Sequence, residues 1–334
     1  PFVLGGNFDV LATQIYFYIV GAQNDYFSAS ALGIILLSIS LGIFWLQYHF
    51  IGRKNYITLS GKGFEGRSTP LSFGLKITVV SIFAAWVGFN ALLYGSIFYG
   101  SVMQNWGVNH TFTLQHYITL FGQGWKNGAI PSLVQTVLFA VIAAPFTAMS
   151  GFLLAYFFSR HRFFGQKHIE FLTLLSFAVP GTVAGVSYIL AFNNVPLYLT
   201  GTGAIIVLSM VTRNMPIGLR AALVNFKQLD PALDEAAYSL KASAFQTLRF
   251  ITLPLLKPAL LSALVTSFVR AMTTISAIIF LVTPSTRVAT SFILNRVEDG
   301  DYGLAVAYGA SLIVIMMLVI GLFGRWVGET KLGR

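Results

Sequence analysis

Two arginines stand where charge is costly. Arg213, followed by Asn214 and Pro216, and Arg270 both fall near the middle of long apolar runs. An ionisable side chain at the centre of a hydrocarbon layer is expensive, and it faces other protein or a wet path. A guanidinium stays protonated inside a protein, so two of them at similar depth suit an anion in passage. Thr212, Thr273, Thr274 and Ser276 add hydroxyl groups near the same depths. Arg213, Asn214, Arg270, Thr273 and Ser276 are the candidate pathway residues. Arg213 could instead snorkel toward the cytoplasmic end of its run, and Arg270 could serve only to bond backbone carbonyls. All 11 acidic residues lie in loops or at the ends of apolar runs. No carboxylate at mid-depth therefore offers the hard oxygen ligands that a bare trivalent metal ion prefers.

Other chemistry is poorly supplied. His110 and His116 share a loop, but a spacing of six places them on no common helix face, and no third ligand lies near. His161 and His168 flank a turn with Arg160, Arg162 and Lys167, and are read as orientation determinants near anionic lipid. The chain has no cysteine, which excludes a disulfide framework and a thiolate metal site. There is no phosphate-binding glycine loop and no nucleophile elbow, so no resident cofactor is expected and ATP must be bound elsewhere.

The elements that carry these residues follow from composition. Of 334 residues 56% are hydrophobic and 10% charged, and mean hydropathy is +0.74, too apolar for a soluble surface. An all-α, multi-pass membrane protein is predicted. Seven runs are long enough as helices to cross about 30 Å of hydrocarbon: 27–50, 71–99, 129–158, 169–192, 203–223, 259–282 and 304–327. They lack the period-two alternation of a membrane barrel. With the loop after residue 50 placed in the cytoplasm, 16 of the 21 Lys and Arg residues fall on that side. Three, Lys126, Arg287 and Arg296, fall outside. That asymmetry sets the orientation, and it makes the net charge of +10 a matter of topology, with no nucleic-acid partner implied.

The two ends of the chain repeat each other. Ala12-Thr13 matches Ala289-Thr290, and Asp25-Tyr26, Ala29, Ala31, Gly33 and Gly52 match Asp301-Tyr302, Ala305, Ala307, Gly309 and Gly328. Residues 1–52 are accordingly read as the tail of an upstream unit with its last span, 53–70 as a cytoplasmic linker rich in glycine, and 71–334 as a complete unit of six spans. The chain begins with Pro, without a signal-like segment, and is expected to be the latter part of a longer protein.

The most informative loop is cytoplasmic, residues 221–258. Asp230-Pro231 is a helix start, with a capping carboxylate followed by a residue preset for the first turn. Leu233, Ala236, Ala237 and Leu240 then share one helix face with small residues at its middle, which a partner can approach closely. Phe245, Leu248 and Ile251 form a second stripe, and Leu253-Pro254 with Pro258 is expected to stop the helix before the next span.

These residues carry a resemblance. Glu235-Ala236-Ala237, Ile251, Leu253 and Pro254 match the signature loop of type I ABC importer permeases: Glu-Ala-Ala, three residues, Gly, nine residues, Ile, one residue, Leu-Pro. The one departure is Lys241 in place of Gly, which costs about 1 kcal/mol if the backbone there is left-handed. Gly5-Gly6-Asn7-Phe8, Val20-Gly21-Ala22-Gln23 and Phe268-Val269-Arg270-Ala271-Met272 further resemble the fused permeases of the ferric iron importer family. The resemblance implies that Asp234, Glu235, Ala236, Ala237, Leu240 and Lys241 form a coupling helix seated in a dimer of ATP-binding subunits, which hold ATP and magnesium. It also implies a bacterial inner membrane, a periplasmic binding protein that delivers cargo, and a second half-unit or permease subunit. The permease itself would not be an enzyme. The cargo would be ferric iron or its anionic chelate, with a phosphorylated sugar or aminophosphonate as the alternative. An ion-coupled secondary transporter is the rival class, but no membrane acid is available to protonate.

Overall fold

The computed structural model describes residues 10–21, 25–51, 72–122, 124–126, 128–161, 163–230 and 232–332. The expected linker, 53–70, and Gly5 to Phe8 lie outside these. In chain order α1 (Leu11–Val20) and α2 (Tyr26–Ile51) precede α3 (Phe73–Ser101), then a small antiparallel hairpin of β1 (Met103–Asn105) and β2 (Asn109–Phe112), and α4 (Gln115–Phe121). The main body follows: α5 (Ala129–Arg160), α6 (Gln166–Ala178), α7 (Gly181–Phe192), α8 (Gly203–Gln228), α9 (Ala232–Ser239), α10 (Ala244–Thr247), α11 (Leu253–Thr273), α12 (Ala289–Glu298) and α13 (Tyr302–Leu332).

The centre of the bundle is the pairing of α5 with α8, made possible by small residues. Ala140, Ala143, Ala144, Ala148, Gly151 and Ala155 are buried along one side of α5. Where lipid replaces water as the surroundings, helices associate through such close packing. A Cβ at Gly151 would stand 2.9 Å from the backbone nitrogen of Leu219. The two backbones therefore touch there, and any side chain at 151 must push them apart.

Among the described residues, four helices are long and apolar enough to cross a membrane, or six if each of two bent pairs is one span. Seven were expected. The run 169–192 is not one helix, since α6 and α7 meet at 106°. Pro180 lacks the N–H that a continuing helix needs and restricts Val179 ahead of it. The run 259–282 also differs, because helix ends at Thr273 and the chain then turns back through a single 3-10 turn at Ile278–Phe280. The fifth run, 203–223, is a continuous helix, α8, of 26 residues. Arg213, Asn214 and Arg220 make it too polar for the apolar set, and its buried Ile205, Ile206, Met210 and Leu219 face protein.

The terminal repeat has a structural counterpart. Each copy is a short helix of 10 residues leading to a long one. In each, a hydroxyl caps the short helix in the same way: Thr13 exchanges bonds with the backbone of Val10, and Ser291 with that of Val288. The capping pairs correspond one residue later than the Ala-Thr match suggests. At the start of the long helices the copies diverge. Asp25 caps α2 through Ser28 and Phe27, and these bonds, the Ser28 hydroxyl foremost, hold its carboxyl below the usual range. Asp301 turns instead to Arg296, at 3.3 Å. Helices α1 and α2 lie against the main body, with Ile15, Tyr16, Ile19 and Ala29 clustered on Val186 and Phe280. Near the opposite end of α2 the rings of Phe44 and Phe171 are 5.5 Å apart.

Candidate functional site

Helix α9 begins as its sequence demands. The Asp230 carboxylate accepts from the Ala232 N–H at 2.9 Å, and Asp234 and Glu235 fill the first turn, where negative charge suits the helix dipole. It ends in a Schellman motif: the Ala242 N–H donates to the Ala237 carbonyl at 3.0 Å and the Lys241 N–H to that of Tyr238 at 2.9 Å. Such an ending needs a left-handed residue at the position before Ala242. Lys241 occupies it with φ +60°.

The faces of α9 divide the expected coupling residues. Glu235, Ala236 and Leu240 are exposed, Leu240 at 83%. Ala237 is 3% exposed and Asp234 pairs with Arg160 at 2.8 Å. The small-residue face is thus split, because Ala237 packs against the chain's own interior and Ala236 looks outward. Beyond α9, Ser243 and Gln246 form a reciprocal capping box, and a π-helical turn over Leu248–Thr252 carries Ile251 into α11. The expected stop at Pro254 and Pro258 is a bend. Pro254 sits in the first turn of α11, where a missing N–H is tolerated, and beyond a 73° change of direction between Leu255 and Lys257 the helix runs on through Pro258.

All five candidate pathway residues line one open cavity of about 230 Å³ beneath the turn at residues 274–276, bounded also by Phe177 and Ile217. A second cavity, about 410 Å³, runs between α8 and α11 toward Asn225 and Pro258. Asn214, Ile217 and Arg270 belong to both, so the two form one groove with Arg270 at its junction. The lining contains two arginines and no carboxylate. The arginines differ in their bonding. Arg213 Nη1 donates to the carbonyl of Val179 at the α6–α7 corner, 3.2 Å away, and so does not snorkel to the cytoplasmic end. Arg270 is exposed to the groove. Asn214 is 7% exposed, and its Nδ2 has no hydrogen-bond partner among the described residues. Thr273 and Thr274 bond back to helix carbonyls. Asn225, Ser262 and Thr266 extend the polar lining and escaped the sequence reading, because nothing but the fold brings α8 and α11 together.

Bent and straight apolar helices surround this polar groove, and the short capped helix α9 lies in the chain between its two walls, α8 and α11. A family model described as a binding-protein-dependent transport system inner membrane component matches residues 129–329, and the chain belongs to that family. The Ferric transport system permease protein FbpB of Actinobacillus pleuropneumoniae is 61% identical over 332 residues, which is 99% of this chain and 48% of that protein. The chain spans about half the length of that relative. The Sulfate transport system permease protein CysT of Salmonella typhimurium is 29% identical over 64% of this chain and 83% of its own length. A solved bacterial ABC transporter involved in the import of the acidic polysaccharide alginate shares the fold, with TM-score 0.63 and 16% identity over 76% of this chain and 95% of its own.

Proposed function

We propose that this chain is the C-terminal half of a ferric iron permease of the bacterial inner membrane, and that iron crosses it as an anionic complex delivered by a periplasmic binding protein. The observation that carries the reading is the groove between α8 and α11, with Arg270 at its junction and, on its wall, the buried Asn214 Nδ2, without a hydrogen-bond partner among the described residues. Two guanidinium groups without a carboxylate attract an anion and repel a bare cation. A chelated ferric ion of negative charge satisfies that field, and the 61% identity to a ferric transport permease supports iron as its core. ATP would be bound and hydrolysed by a separate dimer of subunits, one of them receiving the exposed side of α9 through Glu235, Ala236 and Leu240. Closure of that dimer would open the pathway outward by alternating access, and the permease would contribute no catalytic group. Residues 1–52 would be the tail of the first half-unit, and 71–334 the complete second one.

Two measurements test this. Reconstituted full-length permease with its ATP-binding subunits and binding protein should take up labelled ferric iron with ATP and leave labelled sulfate outside; uptake of sulfate in place of iron contradicts the cargo. Glu235→Lys should leave the permease in the membrane and remove both uptake and co-purifying ATPase. Wild-type amounts of ATPase on Glu235→Lys, with stimulated hydrolysis intact, would sink the coupling role of α9.

A further inference from the structure

We infer that Arg160 and Asp234 form a latch that makes the cytoplasmic helix α9 move as one body with α5. The inference rests on the reading of α9 as the ATPase-contacting helix. No other element packs extensively against α9 among the described residues, and Ala237 is the one residue of the helix that is buried. A helix held so lightly cannot push on the bundle through packing alone. Its chain connections are also compliant: the non-helical Leu229 and Asp230 lead in, and a turn, a π-helical stretch and a 73° bend lead out.

The ion pair supplies the missing stiff connection. Three ion pairs are present among the described residues, and two of them gather Asp299 and Asp301 on Arg296 in the last turn of the adjoining α12, all within six residues of chain. Arg160–Asp234 joins separate elements, at 2.8 Å, with the side chains 15% and 18% exposed. It is a close approach of charges without a directed hydrogen bond from Nε, so removing either charge should release it. Partial burial shields the pair from salt more than a surface pair is shielded. Both members suit their places, a cation in the last turn of α5 and an anion in the first turn of α9, each favoured by its own helix dipole. Helix α5 runs 32 residues through the bundle, in contact with both α8 and α11, the walls of the groove. A displacement of α9 therefore reaches the groove through α5.

A double-mutant cycle on the assembled transporter tests the latch. Arg160→Met should retain co-purifying ATPase and ATP hydrolysis while iron taken up per ATP falls about tenfold, within the usual range of coupling between sites, and Asp234→Asn should lower uptake per ATP to the same extent. The double variant should lose no more than either single one, because the two charges act together. Wild-type uptake per ATP in Arg160→Met, or losses that multiply in the double variant, would overturn the latch. Loss of ATPase from Glu235→Lys but not from Arg160→Met separates docking from transmission. Should Arg160→Met fail to assemble, cysteines at 160 and 234, in a chain that has none, decide the matter. Joining them with a short thiol cross-linker should restore uptake that the unjoined pair lacks, and no restoration overturns the inference.

Discussion

The Ala242 N–H closes α9 by reaching back to the Ala237 carbonyl at 3.0 Å, and this bond forces the intervening Lys241 into the left-handed region at φ +60°. Among the described residues Lys241 is the one non-glycine residue with positive φ. Glycine there removes the clash between Cβ and the backbone. Lys241→Gly should therefore stabilise the α9 ending by about 1 kcal/mol, and Lys241→Val should weaken it. Slower amide exchange at Lys241 and Ala242 positions in the glycine variant is the expected observation; faster exchange would contradict the strain.

The contact of Gly151 with the backbone of Leu219 leaves no room for a side chain. Gly151→Leu should separate α5 from α8 and cost at least the roughly 1–3 kcal/mol typical of overpacking. A lower thermal midpoint in detergent and less permease in the membrane are expected, while Gly151→Ala should fall between. An unchanged midpoint in Gly151→Leu would mean that the helices do not meet there.

Arg213 and Arg270 should respond differently to the same substitution. Arg213→Met leaves the Val179 carbonyl without its donor at a helix corner, a loss of about 1–3 kcal/mol, seen as less folded protein. Arg270→Met removes a charge from the junction of the groove and should reduce uptake of an anionic complex per assembled transporter with little effect on assembly. Equal uptake per complex in Arg270→Met and wild type would exclude the pathway role.

The Asp230 carboxylate holds the first turn of α9 through the Ala232 N–H. Asp230→Ala should cost about 1 kcal/mol of local helix stability, with Asp230→Asn or Asp230→Ser restoring most of it. Amide exchange over residues 232–235 reads the effect. No change in Asp230→Ala would show that the cap is not needed.

The long helices were legible because lipid leaves an apolar run few ways to satisfy its backbone other than as a helix. The loop 221–258 was legible for a different reason, since Asp230 and the spacing of Leu233, Ala236, Ala237 and Leu240 are local. The corner at Val179-Pro180 was hidden in composition that is apolar on both sides, and membrane helices tolerate a lone proline. Helix α8 has the length of a span like the others, and period and length do not reveal that its Ile205, Ile206, Met210 and Leu219 pack within the protein. Which side of α9 Ala237 would take, and that Arg160 would find Asp234, depend on where a distant helix ends. Charge and polarity at similar depth single out the five pathway candidates, and the cavity beside residues 274–276 is what brings them together.

Helices α1 and α2 are attached to the rest by surface as well as by sequence, through Phe44 on Phe171 and the cluster around Val186. The peptide between residues 51 and 72 then serves mainly to keep the two pieces at high effective concentration, a service that confinement to one bilayer also provides. The chain is in that sense severable. Residues 10–51 and 72–332 made as separate polypeptides in the same membrane should find each other again, and the covalent joining of these two pieces becomes a matter of stoichiometry more than of architecture.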